Sequence, residues 1–211
     1  MKKIKLLNIY GGIGGNVSLL DRDIYEITTI EINPSIAAVY KNRFPIDKII
    51  VCDAKEYLLK YYSEFDIIWG SPPCPSHGNV RKIRVGYDLA AVYPDLDLYQ
   101  VIIFLTHYFK GKWVIENVVP YYLPLIKPTV KLGRHFFWAN FDITLIKLDK
   151  SVNPKFIKSS DYSFIDFGDF KGDKRLLIRN MVNEKIGLHI INCAANTVPY
   201  SYDNSLFDFV S

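Results

Sequence analysis

Short apolar runs alternate with helix-like segments through the first half of the chain. Each run is rich in β-branched or aromatic residues, as are strands buried on both faces of a parallel sheet. Because parallel strands need crossover connections, the alternation predicts an α/β fold with a doubly wound, mostly parallel sheet. The predicted strands are Lys5–Tyr10, Ile27–Ile32, Lys48–Val51, Phe65–Trp69 and Trp113–Glu116.

The segments between these runs have the marks of helices. Pro34 precedes Ser35–Phe44 at a position typical of a first helical turn, and a Leu- and Tyr-rich helix is predicted after the third strand. Leu98–Phe109 is predicted as an apolar helix before the fifth strand. The glycine-rich segment 11–15 is predicted to open a helix that continues to Arg22.

The second half of the chain is less regular. Phe136–Ile146 has the pattern of a hairpin or strand pair, which predicts an antiparallel strand near the C-terminal part of the sheet. Residues 149–173 are rich in Ser, Asp, Asn and Gly without a clear period and are interpreted as an irregular insertion. Arg175–Ile191 returns to a helical pattern. With no internal repeats, 1–211 is predicted to form one domain.

Composition narrows the class of protein. The 211 residues are 49% hydrophobic and 23% charged, which excludes long disordered stretches. The net charge of +4 is compatible with a polyanionic partner without requiring one. Three cysteines exclude a disulfide framework and favour a reducing compartment. No apolar run is long enough to span a membrane, so we expect a soluble cytoplasmic protein, of a bacterium or a virus.

Residues with special chemistry follow all five predicted strands. In doubly wound sheets, ligands bind outside the carboxyl ends of the strands, so these positions are expected to surround one crevice. They are Gly11–Gly15, Glu31, Asp53, Ser71–Cys74 and Glu116–Asn117.

The first three of these segments suggest a pocket for an adenosine ligand. A glycine-rich turn lets the backbone approach a ligand closely, Glu31 stands where a ribose-binding carboxylate is found in such folds, and Asp53 can accept a bond from an adenine amine. Taken singly, each has a plain alternative: a tight turn, a surface carboxylate or a helix cap. Together they favour the pocket.

The segment around Cys74 carries the candidate nucleophile. Pro72 and Pro73 stiffen the chain directly before this cysteine at a strand end, which presents the sulfur to the crevice, and a thiolate is a strong nucleophile. Glu116 ends the next strand as a candidate general acid. Cys74 and His77 also have the spacing of zinc ligands, but no second ligand pair lies nearby, so no metal is predicted.

The order of these motifs resembles that of the DNA (cytosine-5)-methyltransferases. The first motif of that family, DLFAGxGG, is similar to NIYGGIGG here, and its closing element, GNxVP, is similar to ANTVP. The matching segments lie in the family's order along nearly the whole chain: NIYGGIGG at 8–15, EINP at 31–34, DA at 53–54, PPC at 72–74, ENV at 116–118 and ANTVP at 195–199.

The resemblance implies an S-adenosylmethionine-dependent methyltransferase fold and a covalent reaction on cytosine in DNA. Cys74 would attack carbon 6 of the base while Glu116 protonates or hydrogen-bonds N3, and carbon 5 would then take up the methyl group. Asn117 would hold the Pro-Pro-Cys loop, and Arg134 is aligned with the family's arginine that contacts the target base. The base must leave the duplex to reach the thiolate.

The resemblance also implies which residues bind the cofactor, S-adenosylmethionine. Tyr10 would lie against the adenine, Glu31 would bind the ribose hydroxyls, and Asp53 would bind the adenine amine. The full set implied at the cofactor is Tyr10, Gly11, Gly12, Ile13, Gly14, Gly15, Glu31, Ile32, Asp53, Ala54, Pro72, Asn196 and Val198.

Four features depart from the family pattern. Asn8 replaces its usual Asp, Leu132 stands in place of the first arginine of its Gln-x-Arg-x-Arg element, and Ser76-His77-Gly78 replaces its usual residues after Pro-Cys-Pro. His135, beside Arg134, is interpreted as a core or surface residue. The insertion at 149–173 is shorter than the roughly 50 residues of an independent domain, so the family's target-recognition domain is expected to be missing or reduced.

The DNA contacts must then come from elsewhere. The basic segment 79–84 is expected to bind phosphates through Asn79, Arg81, Lys82 and Arg84, with a solvated loop as an equal alternative. A second protein chain or a homodimer is a candidate source of further contacts. Few residues remain to contact base edges, so sequence specificity is expected to be short or relaxed.

Two other functions are compatible with the same motifs. One is the same chemistry on cytosine in RNA, since a close relative of the family acts on transfer RNA. The other is a degenerate paralogue that binds cofactor or nucleic acid as partner to an active subunit. The intact Pro-Pro-Cys and Glu-Asn-Val segments favour an enzyme.

Overall fold

The described residues form one seven-stranded sheet. The computed structural model describes residues 2–73, 76–78, 93–146 and 165–195. The strands are β1 (Ile4–Ile9), β2 (Tyr25–Ile30), β3 (Lys48–Ile50), β4 (Ile67–Gly70), β5 (Lys112–Val118), β6 (Val130–Leu132) and β7 (His135–Ala139). Their order is β3-β2-β1-β4-β5-β7-β6, with β1 to β5 parallel and β7 antiparallel to both neighbours. The predicted doubly wound α/β fold with an antiparallel strand is confirmed.

Capping side chains set where most of the helices begin. The helices are α1 (Pro34–Arg43), α2 (Ala54–Tyr61), α3 (Asp97–Tyr108), α4 (Lys174–Asn180) and α5 (Glu184–Ala194). The residues before α1, α2, α4 and α5 accept hydrogen bonds from first-turn N–H groups: Asn33, Asp53, Asp173 and Asn183. Among the helices of the described residues, none is long and apolar enough to cross a membrane.

Helices cover both faces of the sheet. One face packs against α1 and α5, where Tyr40 and Ile186 are fully buried. The other packs against α2 and α3, where Leu58 and Leu105 are buried. This two-sided burial explains why consecutive residues, rather than every second residue, are buried over most of β1, β2 and β4.

The connection from β1 to β2 corrects one prediction. Instead of a helix to Arg22, a three-residue 3-10 turn follows the glycines, and turns continue as far as β2. The guanidinium of Arg22 donates to the carbonyls of Val17 and Leu20, at 2.7 and 2.6 Å, and pairs with Asp47 at 2.9 Å. Because a side chain satisfies these carbonyls, the chain returns to the sheet without a helix.

The C-terminal part corrects two more predictions. The helical pattern of Arg175–Ile191 is two helices, because Asn183 caps α5 and restarts the chain after α4. The strand expected within Phe136–Ile146 begins one residue earlier and pairs with the preceding β6 through a tight turn at Gly133, whose φ is +58°. In the insertion, described from residue 165 onward, Ile165 packs against Ile13 of the glycine loop.

Asn8 belongs to a buried amide network that links β1, β2 and the glycine loop. Its Oδ1 accepts a bond from Asn16 Nδ2 at 2.9 Å, and its Nδ2 lies 3.4 Å from Thr29 Oγ1. All three residues are buried. A neutral amide at position 8 can both accept and donate, so Asn8, where the resembled motif has Asp, satisfies both neighbours without burying a charge.

Replacing Asn8 by alanine is expected to lower the free energy of unfolding by about 1–3 kcal/mol, since Asn16 Nδ2 loses its acceptor in a buried place. Urea denaturation followed by circular dichroism measures this. Asn42, exposed near the end of α1, is the control: its change to alanine should shift stability by only a few tenths of a kcal/mol, roughly the helix-propensity difference. Equal effects of the two changes would contradict the role of the network.

Candidate active site

A cleft of about 1020 Å³ opens at the carboxyl ends of β1, β2, β4 and β5. It lies where the sheet order reverses between β1 and β4, as the switch-point rule for such sheets predicts. Most of the predicted cofactor residues line it: Tyr10, Gly11, Gly12, Ile13, Gly14, Gly15, Glu31, Ile32, Asp53, Ala54 and Pro72. Glu116 and Arg134, two of the three predicted catalytic residues, line the same cleft.

The glycine loop has a backbone that ordinary residues rarely adopt. Gly12 and Gly14 have φ values of +53° and +75°, and a methyl group on Gly14 would overlap the ring of Tyr40. Tyr10 also has a positive φ, of 57°. These turns direct the loop's backbone into the cleft, although the short turn after it provides no helix end for an anion.

The hydroxyl of Tyr10 is buried and has no hydrogen-bond partner within the described part of the chain. Burial, and then Asp97, Asp53 and Asp95, raise the pKa of Tyr10 well above its ordinary value, so the hydroxyl remains protonated. A buried donor without a partner is unfavourable, and a ligand in the cleft can supply the acceptor.

Glu31 ties the glycine loop to the start of α1. One carboxylate oxygen, Oε2, accepts the N–H of Gly12 at 3.0 Å, and the other, Oε1, accepts the N–H of Asn33 at 2.9 Å. The side chain therefore shapes the loop as well as facing the cleft. Each oxygen retains lone pairs for a ligand hydroxyl.

Asp53 is a helix cap, which was the alternative to a ligand-binding role, because it caps α2. Its Oδ1 accepts from the N–H groups of Lys55 and Glu56, at 2.8 and 3.0 Å. Both bonds use the same oxygen, so Oδ2 stays available to a ligand in the cleft. Lys55 also pairs with Asp97 at 2.8 Å, which joins α2 to α3 at the cleft wall.

The loop after β4 is fastened to the end of β5. Asn117 Nδ2 donates to the carbonyl of Pro72 at 3.0 Å in a buried position, which confirms the expectation that Asn117 holds the Pro-Pro-Cys loop. Pro73 also lines the cleft. The loop therefore reaches the cleft beside the strand that carries Glu116.

Glu116 has a neighbour that the sequence did not assign. His135 Nε2 lies 3.6 Å from Glu116 Oε1, and both side chains are buried. The guanidinium of Arg134 instead donates to the backbone carbonyl of Arg179, at the C-terminal end of α4. The structure thus sets His135, rather than Arg134, beside the candidate acid. The alternation of side chains along β7 was the signal that could have found it.

His77 anchors the chain just past the Pro-Pro-Cys segment. Its Nδ1 lies 2.5 Å from the Tyr122 hydroxyl, and its carbonyl accepts the N–H of Tyr121 at 3.1 Å. Burial lowers the pKa of His77, which favours the neutral ring. In the part of the chain that the structure describes, no group of His, Cys, Asp and Glu forms a metal site. The contacts with Tyr121 and Tyr122 make His77 a structural anchor to the β5–β6 connection.

Contacts from α1 and α5 hold the glycine loop in place. Arg43 in α1 donates to the carbonyl of Ile13 and pairs with Glu184 at 3.2 Å. Gly187 in α5 packs so closely that a methyl group there would overlap the backbone of Asn16. No local sequence pattern points to the contact between Arg43 and Glu184, since the two residues are 141 positions apart in the chain.

Several predicted site residues lie outside the described residues. They are Cys74, Asn79, Arg81, Lys82, Arg84, Asn196 and Val198. Their roles remain the predictions made above.

Replacing Glu31 by glutamine is expected to weaken binding of the predicted cofactor, S-adenosylmethionine, by about tenfold, equivalent to 1–2 kcal/mol. The new NH₂ group would face a backbone N–H, of Gly12 or Asn33, in place of an acceptor oxygen. Isothermal titration calorimetry measures this. Glu26, exposed on the same strand, gives the matched control, and its change to glutamine should leave the dissociation constant unaltered. Equal affinities of both variants would show that Glu31 does not shape the pocket.

Comparison with known proteins gives similarity at the level of structure only. No family model and no curated protein sequence matches the chain. The similar solved structures include S-adenosylmethionine-dependent methyltransferases. One is from Agrobacterium tumefaciens, with 16% identity, a TM-score of 0.43, and coverage of 57% of this chain and 40% of that one. Another, TehB-like, is from Corynebacterium glutamicum, with 19% identity, a TM-score of 0.35, and coverage of 56% of both chains.

A further similar structure is a variant of DNMT2 from Spodoptera frugiperda. The identity is 28%, the TM-score is 0.37, and the overlap covers 55% of this chain and 36% of that one. The chain thus spans between 36% and 56% of the length of these three proteins. Since the overlaps are partial, the fold class rests on the sheet order described above.

Proposed function

We propose that this protein transfers a methyl group from S-adenosylmethionine to carbon 5 of cytosine in DNA, through a covalent bond between Cys74 and carbon 6. The observation that carries the proposal is the hydrogen bond from Asn117 Nδ2 to the Pro72 carbonyl. This bond ties the Pro-Pro-Cys segment to the strand of Glu116, and both border one cleft. A nucleophile and a proton donor from adjacent strand ends are what attack on a pyrimidine ring requires.

The other half of the cleft fits the cofactor. Tyr10 offers a buried hydroxyl that lacks a partner among the described residues, and Asp53 keeps one carboxylate oxygen available. Gly12 faces open space, where its missing side chain leaves room for a ligand. Glu31 would hold the ribose hydroxyls. When bound, S-adenosylmethionine supplies the electrophilic methyl group.

The residues of the chain then handle the base. The Cys74 thiolate forms a bond to carbon 6, and the carbon 5–carbon 6 π pair becomes a double bond between carbons 4 and 5. The π pair between carbon 4 and N3 moves to N3, which takes a proton from Glu116. Carbon 5 thereby becomes nucleophilic. Methyl transfer would leave S-adenosylhomocysteine as the second product. Carbon 5 then loses its proton to a base, Glu116 recovers the proton from N3, and the Cys74 thiolate leaves. Because Glu116 is buried, its carboxyl acts where water competes little.

The choice of DNA as the substrate rests on the order of the sequence motifs. A comparison of possible substrates would test it directly. We would offer a tritium-labelled methyl donor in parallel to duplex DNA, single-stranded DNA and transfer RNA, then digest the products to nucleosides. The expected label is 5-methylcytosine in DNA. Label found only in RNA would overturn the proposed substrate, and a different methylated nucleoside would overturn the proposed reaction.

A further inference from the structure

Glu116 and His135 form a buried pair on neighbouring antiparallel strands. In the β5–β7 register Glu116 lies opposite Phe137 and His135 lies opposite Val118, so the two side chains are diagonal neighbours on one face of the sheet. Their nearest atoms, Oε1 and Nε2, are 3.6 Å apart. The side chains are 8% and 11% exposed, and both residues line the cleft.

The surroundings of His135 favour a neutral ring. Burial lowers its pKa, the Glu116 carboxylate on β5 opposes that effect, and Arg134 in the β6–β7 turn reinforces it. The ring of Phe137, on the same strand, meets the imidazole edge to face, with centroids 6.5 Å apart. A neutral imidazole has one N–H, and it can donate to Glu116 only if that hydrogen is on Nε2.

We propose that His135 is a positioning residue, whose Nε2–H donates to Oε1 of Glu116 and so directs Oε2 toward N3 of the cytosine. This inference rests on the proposed function. The present separation is a few tenths of an ångström longer than a hydrogen bond, and such contacts tighten when a substrate fills the site. Arg134 lies one residue earlier, with its guanidinium turned to the Arg179 carbonyl.

A neutral donor suits this task better than a cation. It fixes the carboxyl without adding charge, so Glu116 can still hold the proton that N3 shares during attack. A positive charge at His135 would stabilise the carboxylate and withdraw that proton. The proposal therefore predicts that the rate falls on the acidic side as His135 becomes protonated, below its ordinary pKa.

Two variants separate positioning from packing. Glutamine at position 135 places an amide N–H near Nε2 but does not titrate, whereas leucine keeps the bulk and removes the donor. We expect kcat to fall by about a hundredfold in His135→Leu, the lower end of a positioned acid's contribution, with KM for DNA unchanged. His135→Gln should retain most of kcat and lose the acidic limb of the pH profile. His189→Gln, a buried histidine of α5 outside the cleft, is the control and should leave both unchanged.

Nitrogen-15 NMR of the histidine rings tests the contact between His135 and Glu116 without a measurement of enzyme activity. We expect a proton on Nε2 of His135, and a lower pKa of His135 in Glu116→Gln, because the carboxylate that raises it is gone. A ring protonated at Nδ1 alone, or equal kcat and pH profiles in wild type and both variants, would overturn the proposal. Equal loss of kcat in Gln and Leu variants would also overturn it. Wild-type protein that shows the Nε2 signature yet methylates no cytosine would instead reject the proposed function, and the catalytic role of His135 with it.

Discussion

Replacing Cys74 by serine is expected to abolish methyl transfer, with a loss of at least roughly a thousandfold. A serine hydroxyl stays protonated near neutral pH, whereas a cysteine thiol ionises readily and its thiolate is intrinsically nucleophilic. Binding of S-adenosylmethionine should persist, because the cleft residues Tyr10, Glu31 and Asp53 are unchanged. Incorporation of tritiated methyl groups measures the loss of methyl transfer. Calorimetry on the same preparations measures whether cofactor binding persists.

The covalent bond itself can be trapped on DNA that carries 5-fluorocytosine. Release of Cys74 requires carbon 5 to lose a proton, and fluorine cannot leave as a cation, so the wild-type adduct should survive denaturing electrophoresis. Cys193→Ser is the matched control, since this partly buried thiol of α5 does not line the cleft. It should transfer methyl groups and form the adduct like wild type. Full activity in the Cys74→Ser variant would refute covalent catalysis by this residue.

Replacing Asp47 by alanine is expected to destabilise the fold more than any other single change considered. The Asp47 carboxylate is 1% exposed and accepts two bonds from Arg22, at 3.1 and 2.9 Å, and one from the Tyr40 hydroxyl, at 2.8 Å. Removing one partner of a buried ion pair costs about 3–5 kcal/mol, because the other charge is left uncompensated. In a chain of this size that corresponds to a fall in Tm of roughly 6–20 °C.

Differential scanning calorimetry measures this loss. The control is Asp23→Ala, an exposed carboxylate one residue from Arg22, which should change Tm little. The double variant Arg22→Ala, Asp47→Ala should be less destabilised than the sum of the single changes, because neither charge is then left alone. Additive losses, or a Tm equal to wild type in Asp47→Ala, would show that the pair is not coupled.

Strand composition was sufficient to predict the central sheet. The apolar runs around Leu6, Ile68 and Val114 have no alternation because both faces of the sheet are covered, and that pattern is local to each strand. The polar residues after those strands were predictable for the same reason, since parallel strands end at one edge. Glu31, Asp53 and Glu116 therefore all border the cleft as expected.

Side-chain partners from distant segments could not be predicted in this way. The helix expected after the glycine loop does not form, because Arg22 binds backbone carbonyls there and pairs with Asp47. The hydrophobic periodicity of the sequence gives no sign of these contacts. The residue beside Glu116 depends on the β5–β7 register, where a shift of one position exchanges Arg134 for His135.

The amino-acid sequence alone determined the α/β class, the strand-end positions that carry chemistry, and the resemblance from which a nucleophile was named. Hydrophobic periodicity and motif order depend on positions along the chain, so they can be recognised in the sequence without the fold. Only the tertiary structure decided that Gly187 packs against the glycine loop and that a buried histidine lies beside the candidate acid, Glu116. These depend on distances between segments far apart in the chain, which folding sets through strand register and helix packing.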